Sequence, residues 1–155
     1  QATKGCKSMG TTVVVILVSP RAAYMAHVGD SRGYLIRDGE ISQLTSDHSL
    51  LNDYLRTNRL TPEEIEAFPH KNVIVRALGM RDVVEVDIQP LEPRPGDIYL
   101  LCSDGLSGMI TDQQILDLVL ENEDDLDVAC RRLIDSANAH GGHDNVTAVL
   151  VRCEE

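Results

Sequence analysis

The sequence has no tryptophan, one phenylalanine (Phe68) and four tyrosines, so any core it builds is aliphatic, drawn from its runs of Val, Leu and Ile. It also lacks positive charge. With 14 Lys and Arg against 25 Asp and Glu, the formal net charge is −11, which excludes a nucleic-acid backbone or an anionic membrane as the main partner. Cys6, Cys102, Cys130 and Cys153 show no CxxC or other zinc-like spacing, so neither a structural zinc nor a disulfide framework is expected, and a reduced, cytoplasmic protein is the simpler reading. Long apolar runs are missing too. The longest, 13–18, falls far short of the ~20 residues of a spanning helix, and nothing at the start has the form of a signal peptide. No initiator Met opens the chain, and residues 1–9 read as the tail of some preceding element, which suggests a truncated chain.

What is present fits one domain: 155 residues with 43% hydrophobic content can bury a core of ordinary size. Residues 11–19 form a β-branched run that predicts a strand buried on both faces, ended by Pro20. Residues 22–28 lead through Gly29-Asp30-Ser31-Arg32-Gly33 to Tyr34-Leu35-Ile36, Asp38-Gly39 suits a tight hairpin, and 40–45 alternate as a further strand. From 47 to 70 apolar residues are sparse, and Thr61-Pro62-Glu63-Glu64 is a helix start. Strand character returns at 72–77, 83–88 and 97–102. Two late helices follow. One is capped by Thr111 and Gln114, and the other carries Leu126, Ala129, Cys130, Leu133, Ile134 and Ala137 on one face until Gly141-Gly142 stops it. Residues 146–151 close as a buried strand. Early strands and late helices predict an α+β fold in which helices cover mostly antiparallel sheets.

Three aspartates share one context, each lying where a strand meets a turn rich in Gly, Ser or Asn: Asp30 in Gly29-Asp30-Ser31-Arg32, Asp104 in Cys102-Ser103-Asp104-Gly105, and Asp144 in Gly142-His143-Asp144-Asn145. Such residues favour turns on their own account. Strand ends are also where loops converge while a sheet fixes their geometry. Asp104 directly follows the most apolar strand, so its carboxylate is expected to be partly buried, where a cation is wanted. Hard oxygen ligands of this kind suit Mg2+ or Mn2+.

The segments Met9-Gly10-Thr11-Thr12, His27-Val28-Gly29-Asp30-Ser31-Arg32, Asn72-Val73-Ile74-Val75-Arg76-Ala77-Leu78-Gly79, Pro95-Gly96-Asp97 through Leu101-Cys102-Ser103-Asp104-Gly105-Leu106, and Gly142-His143-Asp144-Asn145-Val146-Thr147 together resemble the successive motifs of the PP2C-type metal-dependent protein serine/threonine phosphatases, bacterial branch. They run in the family's order over nearly the whole chain. The resemblance implies a layered α/β/β/α sandwich of two mostly antiparallel sheets, with residues 47–70 as a flap subdomain beside the site. It implies Asp104 and Asp144 as ligands of a catalytic pair of Mn2+ or Mg2+ ions, and Asp30, with the Asp104 position, as ligand of a third, weaker ion. The implied reaction is hydrolysis of phosphoserine and phosphothreonine in proteins by a metal-activated water, without a covalent phosphoenzyme. Phosphorylated proteins are the implied partners, together with a cognate serine/threonine kinase.

The family's pattern also has an earlier glutamate, a phosphate-binding arginine and an Asp-Gly-x-Gly-Gly turn that bridges the two metals, and this sequence contains no such turn. The resemblance thus covers the C-terminal portion of a phosphatase domain, with a missing segment or a second chain needed to complete the site. The rival reading is a catalytically incomplete regulatory or binding module. Among other residues, Arg76, His143 and Asn145 are possible contacts to substrate or to the ligands. His27 reads as a packing or hydrogen-bonded residue, Arg32 as a partner for nearby carboxylates, and Cys102 as a small buried residue rather than a nucleophile.

Overall fold

A computed structural model describes residues 9–19, 22–71 and 73–154, so the readings placed on residues 1–8, Pro20 and Asn72 lie outside it. The elements run β1 (Val13–Ser19), β2 (Ala22–Val28), β3 (Arg32–Arg37), β4 (Glu40–Gln43), α1 (Leu50–Leu55), α2 (Pro62–Glu66), β5 (Asp87–Leu91), β6 (Ile98–Cys102), α3 (Asp104–Ser107), α4 (Asp112–Leu120), α5 (Leu126–Ala139) and β7 (Ala148–Arg152). The strands form two sheets, ordered β1-β2-β5 and β4-β3-β6-β7, and every pairing is antiparallel. The expected α+β architecture of two antiparallel sheets with helices is therefore what the chain adopts.

Strand alternation explains where the core sits. Tyr34 and Ile36 of β3 lie opposite Leu100 and Ile98 of β6, and with Cys102 they form one apolar face of the four-stranded sheet. Helices α4 and α5 cover that face with Ile115, Leu116, Val119, Leu133 and Ala137. Both begin at side-chain caps: a reciprocal box of Thr111 with Gln114 for α4, and Asp125 accepting from the Val128 N–H for α5. The hairpin between β3 and β4 turns on Asp38 and Gly39, at φ 53° and 77°, the left-handed pair that such a two-residue connection needs. At that end of the sheet the buried Asp97 takes two hydrogen bonds from Arg37, at 2.7 and 2.6 Å, and one from the Arg94 N–H at 2.8 Å. The Arg37 guanidinium holds the Asp97 carboxyl below the usual carboxylate range against the opposing effect of burial.

Four strands depart from the sequence reading, the closing one because β7 has no fully buried residue and leaves Val149 exposed. The run at 11–19 is an edge strand, not one buried on both faces. Its rows Val15–Ala26–Ile88 and Leu17–Tyr24–Pro90 leave Leu17 60% and Ile88 66% exposed, because no element among the described residues packs on that face. The strand expected at 83–88 starts instead at Asp87. Asp87 pairs with His27 at the end of β2, so earlier residues would face the Gly29 turn and find no partner. The stretch around 72–77 makes only an isolated bridge, Ser49 to Ile74, because it faces the loop before α1 rather than a strand. Pro90, which has no N–H to give, sits on the edge strand β5, where that absence is tolerated. No helix among the described residues is long and apolar enough to cross a membrane.

Two measurements test this account. Leu133→Ala, which empties a fully buried position between α5 and the sheet, is expected to cost about 3 kcal/mol in denaturant unfolding. Asp97 has a lowered folded pKa, so its stabilisation is present above the pKa of the unfolded chain and is lost as pH falls through the folded value. Asp97→Asn should accordingly lower the unfolding temperature at neutral pH and flatten its decline in acid.

Candidate functional site

The register of the four-stranded sheet brings the three aspartates to one rim. Arg32 pairs with Cys102, and Cys102 pairs with Ala148, so the start of β3, the end of β6 and the start of β7 share one row. Asp30 stands two residues before that row, Asp104 two after it and Asp144 four before it. All three line a single cleft of about 660 Å3. Positions 104 and 144 thus face the same cleft.

Short polar contacts hold the rim together. The Ser103 hydroxyl donates to the Asn145 carbonyl and accepts from the Thr147 N–H, both at 3.0 Å, which joins the Asp104 turn to the Asp144 loop. Gly105 permits this approach, since a Cβ there would lie 2.4 Å from the Asn145 carbonyl oxygen. Gly29 does the same beside Asp30: its φ is +112° and an added Cβ would meet Thr12 at 2.3 Å. Thr12 in turn shares a hydroxyl hydrogen bond of 2.9 Å with Ser31.

Electrostatics set the aspartates apart from one another. Burial and then the Asp104 charge raise the Asp30 carboxyl above its ordinary range. Asp104 and Asp144 are exposed, which corrects the expected partial burial of Asp104. That expectation followed the strand, but Asp104 opens α3 on its exposed side while the next two residues, Gly105 and Leu106, take the buried side, and the half-buried member is Asp30. Arg32 does not offset the negative charge freely. Its guanidinium is bound to both Asp47 oxygens at 2.7 to 3.1 Å and to the Tyr34 hydroxyl. Burial disfavours the Arg32 charge, but the Asp47 contact more than restores it. Lys71, also on the cleft, makes no ion pair among the described residues. A rim of carboxylates short of cations is a donor set that fits hard divalent ions. The three do not gather within 4.8 Å of one another, so one ion could not take all three directly, and shared or water-filled coordination is the arrangement they suit.

Other predicted residues divide. His143 lines the cleft, with its ring over Gly141. Asn145 does not line it, and contributes its backbone to the Ser103 bridge. Arg76 is not brought to the cleft. It binds Asp87 at 2.6 Å beside a separate 250 Å3 hollow, because the segment carrying it leaves the rim toward β5. His27 stacks on His48 at 4.7 Å and contacts the Ser46 carbonyl at 3.0 Å through Nε2. The Cys102 thiol is pushed up to about 12 by burial, which leaves it inert.

Sequence reasoning missed Asp47, Lys71 and His48. Asp47-His48-Ser49 carries a local signal only in Ser49, which caps α1. The histidine gives none. His27, His48 and Asp87 also form a group whose ligand atoms lie within 4.8 Å. The Gly29 N–H donates to His48 Nδ1 at 2.9 Å, so a neutral His48 ring carries its proton on Nε2, and Asp87 is already held by Arg76. Those commitments leave the neutral His48 ring no free lone pair and Asp87 already paired, which argues against an open cation site there.

A family model described as protein phosphatase 2C matches residues 1–54 and 84–146. The chain is 44% identical over 151 residues to protein phosphatase PhpP of Streptococcus pneumoniae, covering 96% of this chain and 60% of that protein. The structure of the S. agalactiae serine/threonine phosphatase superposes with a TM-score of 0.87 at 38% identity, covering 97% of this chain and 62% of that one. The catalytic domain of the serine threonine protein phosphatase PstP, solved with two manganese ions, gives 0.80 at 38% identity over 96% of this chain and 61% of its own. The chain thus spans about 60% of the length of these relatives.

Because the folded pKa of Asp30 is raised, its ionisation costs stability as pH climbs through the folded value, and that cost persists above it. Without divalent ions, Asp30→Asn should therefore melt higher than wild type at pH 7, and the gap should close toward about pH 4. Mn2+ at a hundredfold its dissociation constant should stabilise wild type by about 2.7 kcal/mol and the variant by clearly less, as read by thermal unfolding.

Proposed function

Because this chain belongs to the protein phosphatase 2C family, we propose that it forms the C-terminal portion of a catalytic domain that hydrolyses phosphoserine and phosphothreonine in proteins. One observation carries the reading: carboxylates from three separate strand ends, Asp30, Asp104 and Asp144, line one cleft whose nearest arginine is already bound to Asp47. The family is metal-dependent, and Mn2+ or Mg2+ is the cofactor these oxygens suit. When bound, such ions supply Lewis acidity for a water nucleophile and neutralise the charge on the phosphate.

The chain's own residues leave attack to water. Ser103, the hydroxyl nearest Asp104 in sequence, has its oxygen engaged on both sides by the Asn145 and Thr147 backbone, and the Cys102 thiol is buried and protonated. Asp104 and Asp144 would hold the catalytic ions and Asp30, with Asp104, a weaker one, while the Arg32–Asp47 pair fixes the rim. Residues 47–70 act as the flap: Ser49, Leu51, Asn52, Pro62 and Ile65 wall one side of the cleft, where they would meet the peptide on either side of a phosphorylated residue. Of these five, Ser49, Leu51 and Asn52 lie within the family-model match and Pro62 and Ile65 in the stretch 55–83 that it passes over. The remaining ligands come from a segment beyond this chain, the protein works in the cytoplasm, and a serine/threonine kinase supplies its substrates. The names of the relatives do not favour a purely binding module.

In a chain extended at its N-terminus to the length of the relatives, Mn2+-dependent hydrolysis of p-nitrophenyl phosphate and of a phosphothreonine peptide is expected. Asp104→Asn or Asp144→Asn should reduce either rate by on the order of a hundredfold or more, and chelation should abolish both. Metal binding without turnover in the extended chain would sink the proposal in favour of a binding module.

A further inference from the structure

His48 is 1% exposed and grips the residue before Asp30 from two sides. Its backbone N–H donates to the Gly29 carbonyl at 2.9 Å, and its Nδ1 accepts the Gly29 N–H at 2.9 Å. Both backbone polar groups of Gly29 are thus taken by one residue, at a position whose φ of +112° gives the turn its direction. A neutral ring that accepts at Nδ1 must carry its proton on Nε2. Nε2 lies 3.4 Å from Asp87 Oδ2, longer than a good hydrogen bond, and it makes no hydrogen bond. Asp87 is anchored by Arg76 at 2.6 Å, and the His27 ring stacks on the other side. The His48 carbonyl accepts the Val75 N–H at 2.9 Å, which ties the same residue to the segment returning from the flap.

We propose that His48 is a positioning residue for the Asp30 carboxylate, clamping the backbone of Gly29 so that Asp30 points into the cleft, with the Asp87 carboxylate, anchored by Arg76, lying near Nε2 and favouring by its charge the tautomer that can accept. The proposal deepens the reading of Asp30 as a cation ligand and rests on it. A histidine that orients a ligand through the backbone acts without touching substrate or ion, and loss of such orienting partners costs metal affinity. It also accounts for Arg76, which the cleft does not use.

The test separates the clamp from packing by comparing His48→Asn with His48→Leu. Asn keeps an acceptor oxygen where Nδ1 stands, and Leu keeps apolar volume without an acceptor. Two readouts on the full chain are used: hydrogen exchange of the Gly29 amide without ions, and Mn2+ binding followed by paramagnetic resonance, with Asp30→Asn marking the ion that depends on Asp30. The expected result is that His48→Leu loses Gly29 protection and weakens the Asp30-dependent Mn2+ by roughly tenfold or more, while His48→Asn retains both. Full protection and affinity in His48→Leu, or equal losses in both variants, would overturn the clamp while leaving the phosphatase reading intact. If wild type binds Mn2+ with no contribution from Asp30, as it would were the ion at His27, His48 and Asp87, the ligand reading fails and takes the proposal with it.

Discussion

Carboxylates brought together repel, and the rest of this structure depends on holding three of them at one rim without a compensating arginine. Asp30 shows the cost, since burial and the Asp104 charge both oppose its ionisation. A flexible loop would relieve that strain by swinging an aspartate into solvent. The rim resists because β3, β6 and β7 end in one row and because the turns beyond it are stitched by backbone contacts that only glycine admits, at Gly29 and Gly105. The helices serve this arrangement from behind: α4 and α5 bury the face of the sheet opposite the second sheet and so keep its register fixed.

The two kinds of fastening divide the work. Arg32 and Asp47 satisfy each other across the β2–β3 turn and the approach to α1, so the cation nearest Asp30 is held in place instead of collapsing onto it. Arg37 and Asp97 do the equivalent at the far end of β3 and β6. A like arrangement with free arginines would neutralise the aspartates internally and leave nothing for a divalent ion to bind.

Turn chemistry made much of this legible in the sequence. Asp30, Asp104 and Asp144 stand out because Gly, Ser and Asn flank them beside apolar strands, after β2 and β6 and before β7, and α4 and α5 because caps and apolar period agree. Burial was less legible, because it depends on what lies across a strand rather than along it. The run at 11–19 is as β-branched as any core strand, yet it lies at a sheet edge with Leu17 outward, and Asp104 follows the most apolar strand yet stands in solvent. Arg76 looked like a residue beside the site because its segment runs next to the flap, and only the pairing of Asp87 with His27 reveals that its charge is taken elsewhere. His48 had no local signal at all: its meaning comes from Gly29, nineteen residues earlier.

The walls of the cleft are built on a different principle from its rim. Helix α1 buries none of its residues, and the flap's own contact between Tyr54 and Phe68, at 5.3 Å, joins it to the only phenylalanine in the chain. Elements with so little core are cheap to alter and easy to move, whereas a change in the rim disturbs the sheet register itself. The family model matches 1–54 and 84–146, so it takes in most of α1 as well as the three aspartates and passes over 55–83. The rim aspartates thus stand on strand ends whose register the core fixes, whereas α1 has little core of its own; Asp47 and His48, at the start of the same segment, belong with the rim, since they hold Arg32 and Gly29.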